Sequence, residues 1–221
     1  MFNLGDSKMK RIRGDVLPGT GDNGYSCTVI GVRKSKSSED PKFYASVEMM
    51  QNTISEIIYI HRNSRNSKEM ILNIDLINTL YWLEKALHSS QSFYHCLGSE
   101  NHSFPDQFRL YLINVVKDLW EKYGESEDFQ TFNQTIILLQ LNKLRIYTRE
   151  IESHFSVWEE SPEMLLRISQ NPEIEVLVNR NRQIWNRLSS YFWVVTNRER
   201  EYQNIPPNCW SGKMPDFISS Y

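Results

Sequence analysis

Between residues 70 and 202, apolar side chains return every three or four positions, the spacing that gathers them on one face of a helix. Met70, Ile74, Ile77, Leu80, Leu83 and Leu87 form a first stripe. It is opened by Asn66-x-x-Glu69, in which the asparagine side chain caps a free amide and the glutamate reaches back. A second stripe, Phe108, Tyr111, Leu112, Val115 and Leu119 with Trp120 and Tyr123 alongside, begins after Ser103 and Pro105 and stops at Gly124. A third runs from Asp128 to Trp158 through Phe129, Phe132, Ile136, Leu139, Tyr147, Ile151 and Phe155. Its middle, TIILLQL, is apolar on nearly every side, as expected of a central helix surrounded by others.

Two matching starts follow, Ser161-Pro162-Glu163 and Asn171-Pro172-Glu173. Each supplies a capping side chain, a proline where no amide hydrogen is needed, and an acid at the positive end of the helix dipole. The first predicts a short helix to Gln170, the second a long one to Tyr202. The long helix carries the core stripe Ile174, Leu177, Ile184, Trp185, Leu188, Tyr191, Phe192 and Val195.

Residues 1–40 differ in character. They hold six of the nine glycines and the basic cluster Lys8, Lys10, Arg11 and Arg13. Tyr25–Val32 and Phe43–Met49 suit the strands of a small hairpin, although Val47, Met50, Ile54, Ile57 and Ile58 fit helical spacing equally well. Three segments are expected: a basic arm at 1–40, a helical domain at 41–203, and an extended tail at 204–221 tacked down by Trp210 and Phe217. The fold class is mainly α, an irregular bundle of about six helices behind a glycine-containing arm with a candidate β-hairpin.

Composition narrows the function classes. An apolar share of 40% with 6 Trp, 11 Tyr and 10 Phe supports a substantial core and excludes a disordered chain. A net charge of −2 provides no whole-chain field for nucleic acid or an acidic membrane. Cys27, Cys96 and Cys209 are too scattered for a disulfide framework. Without a signal-peptide pattern or a run near the ~18 apolar residues that span a bilayer, the expected location is intracellular and cytoplasmic, with the nucleus as an alternative. The sequons at Asn101 and Asn133 and the Arg13-Gly14-Asp15 tripeptide then read as chance matches.

Candidate chemistry is sparse. Gly19-x-Gly21-x-x-Gly24 has the spacing of a phosphate-cradling loop, but strand-like residues follow it where a dinucleotide fold needs a helix. A kinase glycine loop would want Val where Ser26 stands and a lysine that FYASVEMM lacks, so the stretch reads as a turn. His88, His95, Cys96 and His102 are close together without zinc-ligand spacing, and HSSQS suggests a helix end there. Cys96-Leu97-Gly98-Ser99 reads as a helix stop rather than a nucleophile elbow, and pairs such as Glu150/Glu152 and Glu173/Glu175 point to different helix faces. No catalytic residue, metal or cofactor is expected.

The remaining signal is basic. Arg180, Arg187 and Arg198 lie together along one edge of the last helix's core stripe, where guanidinium forks suit phosphate or a partner's carboxylates. The expected function is therefore a non-catalytic interaction protein, a regulatory or scaffold module. It would bind another protein, or a second copy of itself, through an aromatic and arginine-bearing surface. The alternative is nucleic-acid or ribonucleoprotein binding through Lys8, Lys10, Arg11 and Arg13 together with the arginine ridge, with peripheral membrane contact a further use of the arm.

Overall fold

The computed structural model describes residues 22–27, 33–63, 72–125 and 130–209. The readings placed on Lys8–Arg13, Gly19, Gly21, Asn66, Glu69, Phe129, Trp210 and Phe217 lie outside these residues. The described chain is 79% helical and forms a multi-helix bundle of six α-helices with two very small antiparallel sheets.

Strand β1 (Tyr25–Cys27) pairs with β2 (Arg33–Ser35), Tyr25 opposite Ser35. The hairpin is thus present, but its second strand is β2. Phe43–Met49 belongs to helix α1 (Glu39–Asn63), whose acidic first turn and buried Phe43, Val47, Met50, Ile54, Ile57 and Ile58 follow helical spacing. Asp22–Gly24 form the turn that enters β1, with Gly24 at φ 76°, where a side chain would be strained. Lys34 Nζ reaches Asp40 Oδ2 at 2.5 Å, and the Tyr94 hydroxyl donates to Asp40 Oδ1 at 2.9 Å, which pins the hairpin to the bundle.

Helix α2 (Ile74–His95) starts at Asn73, whose side chain accepts the Asp75 amide. It continues through HSSQS to His95, so His88 is an exposed mid-helix residue and His95 a buried one near the end. The end itself is Cys96-Leu97-Gly98, as expected: the Gly98 amide closes onto the Phe93 carbonyl at 3.0 Å with φ 81°. A Cβ on Gly98 would stand 2.8 Å from Ile174 Cγ2, so this corner also requires close approach. After a 3₁₀ turn at Glu100–His102 comes α3 (Asp106–Tyr123), which stops at Gly124.

Helix α4 (Ile136–Glu159) begins eight residues later than the apolar stripe implied. Gln130–Thr131 form β3, paired with β4 (Asn208–Cys209), and Thr135 caps the helix by accepting the Leu138 amide. Ile137, Leu138, Leu141, Leu144, Ile151 and Phe155 are buried, whereas Ile136, Leu139 and Ile146 face outward. Helices α5 (Pro162–Gln170) and α6 (Pro172–Tyr202) begin where expected, with Ser161 accepting the Met164 amide and Asn171 the Glu173 amide. All eight residues of the α6 stripe are buried. α4 packs between α1 and α6, α2 lies against α1, α3 against α6, and α5 against both α4 and α6. Among the described residues no helix is long and apolar enough to cross a membrane.

Candidate functional site

A half-buried cation with no carboxylate within ion-pair distance marks a place where an anion is expected. The last third of α3, the middle of α4 and the middle of α6 create such a place. Arg145 and Arg149 stand one helical turn apart on α4 and line a recess of about 280 Å³ with Trp120, Ser189, Ser190 and Trp193. Neither arginine has a carboxylate within ion-pair distance among the described residues, although exposed Arg149 feels the charge of Glu152 one turn further along α4. Burial, and then the like charge of Arg149, lower the pKa of Arg145 below its usual value. A guanidinium nevertheless stays charged at any physiological pH.

The recess is fixed by its aromatic wall. Trp193 Nε1 donates to the Gly124 carbonyl at 2.8 Å, and its ring meets the edge of Phe132 at 5.6 Å between centroids. Arg145 Cζ lies 4.9 Å from the centre of the Trp193 ring, so a cation–π contact holds the guanidinium in place without neutralising it. Asn197 Nδ2 donates to the Tyr123 carbonyl at 3.1 Å, a second tie between α6 and the end of α3. Ser189 donates its hydroxyl proton to the Asn186 carbonyl and keeps its lone pairs, and Ser190 lies beside it on the rim. Such a pocket is built to take an anion with several oxygens next to a flat or apolar group.

The residues singled out in the sequence do not converge in this way. Arg180 lies 3.6 Å from Asp106, a carboxylate that also holds Arg109 at 2.7 Å. Arg198 is held at 2.9 Å by Glu199, a buried acid whose pKa is raised by desolvation and pulled back by Arg198. Arg187 is exposed on α6, one turn before Ser190, and is outside the residues that line the recess. Arg145 and Arg149 were passed over because an i, i+4 basic pair on a helix looks like solvated surface. A signal was present in the basic run LNKLRIYTR, but its meaning depends on α3 and α6 supplying no acid to the recess. The groups considered for zinc do not assemble, since no cluster of His, Cys, Asp and Glu suited to a metal occurs among the described residues.

No family model and no curated protein matches the sequence. Solved structures do match the fold, and they are enzymes. A phenylalanine-to-alanine variant of a PduO-type ATP:corrinoid adenosyltransferase from Lactobacillus reuteri, complexed with cobalamin and ATP, aligns at TM-score 0.61 and 14% identity, covering 89% of this chain and 99% of its own. A phenylalanine-to-histidine variant with the same two ligands aligns at TM-score 0.58 and 15% identity, covering 91% and 100%. An arginine-to-lysine variant of a PduO-type ATP:co(I)rrinoid adenosyltransferase from the same organism, complexed with ATP, aligns at 0.55 and 17% identity, covering 88% and 99%.

At these identities the likeness is one of fold, and it corrects the functional expectation. The expected non-catalytic regulatory or scaffold module, with its RNA-binding alternative, gives way to a bundle whose solved counterparts catalyse adenosyl transfer. Their ligands are ATP and cobalamin, in place of the protein, nucleic-acid or membrane partners expected here. The physical reason for the error is that cations and aromatic walls brought together from separate helices are indistinguishable from surface in a sequence read alone.

Proposed function

We propose that the chain is an ATP-using adenosyltransferase acting on a corrinoid. The observation that carries this reading is the Arg145–Arg149 pair, with no carboxylate within ion-pair distance, set in an aromatic-walled recess on a bundle of this fold. Arg145 and Arg149 hold the triphosphate, with exposed Arg187 as a third cation one turn before Ser190. Adenosyl transfer breaks the C5′–O bond of ATP, and the triphosphate leaves with that electron pair. A corrinoid cobalt in its cobalt(I) state supplies the pair for the new bond to C5′. Charge thus accumulates on the triphosphate as the reaction proceeds, and fixed guanidinium groups in a partly dry recess favour that charge most at the transition state. Trp193 orients Arg145 without competing for its charge. An intracellular location, where ATP is available, belongs to the same reading.

A calorimetric series of ATP, ADP, AMP and adenosine against the full chain tests it. Affinity is expected to fall with each phosphate removed and to be lost for adenosine. Equal affinity for adenosine and ATP would reject the arginine recess as the triphosphate site.

A further inference from the structure

A second concave site, of contrary charge, is a cleft of about 400 Å³ between the first half of α2 and the start of α3. Its wall is aromatic. Trp82, 38% exposed, lies 4.2 Å from Phe108 between ring centroids, and Phe108 lies 6.2 Å from Tyr111. Asp75, Thr79 and Trp82 follow one another on a single face of α2 at i, i+4 and i+7.

The protons in the cleft are accounted for. Thr79 donates its hydroxyl proton to the Asp75 carbonyl at 2.8 Å, so at 2.9 Å Tyr111 donates to Thr79, and the buried Tyr191 hydroxyl joins the same hydrogen-bonded group behind the cleft. The Asp75 carboxylate supplies the one formal charge in the lining, and no described cation pairs with it. An anion is repelled here, and a neutral ligand leaves the carboxylate unused. The aromatic wall, with Trp82 its exposed member, and the Asp75 carboxylate together complement a positive charge spread over carbon and nitrogen.

We propose that this cleft binds the ammonium head of a small organic cation, separately from the arginine recess. The ring faces take the alkylated head, and Asp75 supplies the counter-charge. Titrating the full chain with tetramethylammonium and with choline, against the uncharged isostere 3,3-dimethyl-1-butanol, tests this. The readout is the Trp82 indole N–H resonance, identified by its loss in Trp82→Phe. The expected result is a saturable shift for both cations in the millimolar range and none for the alcohol. Asp75→Asn should weaken binding at least five-fold and Trp82→Ala at least ten-fold, with helix content checked by circular dichroism. If Trp82→Ala unfolds, Asp75→Asn carries the test, because Asp75 is exposed. No saturation by either cation, equal binding of the alcohol, or an Asp75→Asn affinity equal to wild type would each overturn the proposal. A trimethyl-lysine peptide binding ten-fold more tightly than choline would overturn the small-molecule assignment.

Discussion

Replacing Arg145 by methionine keeps an unbranched apolar stem against Trp193 and removes only the charged head. In the folded protein that head is half-buried, lies 4.9 Å from the Trp193 ring centre and faces the like charge of Arg149 with no carboxylate in reach. The cation–π contact contributes about 0.5–1 kcal/mol, while burial and the neighbouring charge oppose it. The net change in stability is therefore within about 1 kcal/mol in either direction, or about 2–4 °C in Tm for a chain of this size. Binding should respond differently. A charge-assisted hydrogen bond to phosphate is worth about 1.5–3 kcal/mol, so Arg145→Met should weaken ATP roughly 10- to 150-fold. Thermal unfolding and ATP calorimetry on the same preparation measure both quantities. A fall in Tm beyond about 8 °C with ATP affinity unchanged would refute the reasoning, since it would make Arg145 a structural residue.

Gly124→Ala places a Cβ inside the Trp120 indole, and that ring, 40% exposed, must swing outward. Acrylamide quenching of tryptophan fluorescence should rise and ATP affinity fall several-fold with Tm nearly unchanged; identical quenching and affinity would show that Trp120 is no part of the wall. His95 is held neutral because desolvation lowers its pKa from 6.5 to about 4, with Asp40 opposing and Lys34 assisting. Between those values the unfolded chain binds a proton that the folded chain refuses, so this contribution is complete above pH 6.5 and is lost as pH falls towards 4, by at most about 3 kcal/mol. His95→Asn should therefore narrow the Tm difference between pH 7 and pH 4.5, and an undiminished difference would contradict a neutral His95.

Local chemistry made much of this fold legible. The starts of α5 and α6 were readable because Ser161 and Asn171 cap amides only two or three residues away, and proline fixes the first turn. Gly98 and Gly124 marked helix ends for equally local reasons. The errors lie where distant chain decides. Residues 130 and 131 leave the helical pattern because they pair with residues 209 and 208, which no local window contains. Ile136 and Leu139 looked like core yet face outward, because α1 and α6 meet the other side of α4. The site was hidden for the same reason. The spacing of Arg145 and Arg149 was visible, but the recess around them, lined by no acid, is a property of what α3 and α6 bring to them. Conversely, Arg180 and Arg198 looked available and are held by Asp106 and Glu199.

The central claim is adenosyl transfer, and a turnover experiment addresses it most directly. The full chain is incubated anaerobically with ATP labelled in the adenosine moiety and with cobalamin reduced to the cobalt(I) state, and the corrinoid and phosphate products are separated. The account predicts label carried to the corrinoid, an equal amount of inorganic triphosphate, and loss of both in the Arg145→Met, Arg149→Met double variant. Unlabelled corrinoid from a folded chain that binds ATP, or transfer undiminished in the double variant, would contradict it.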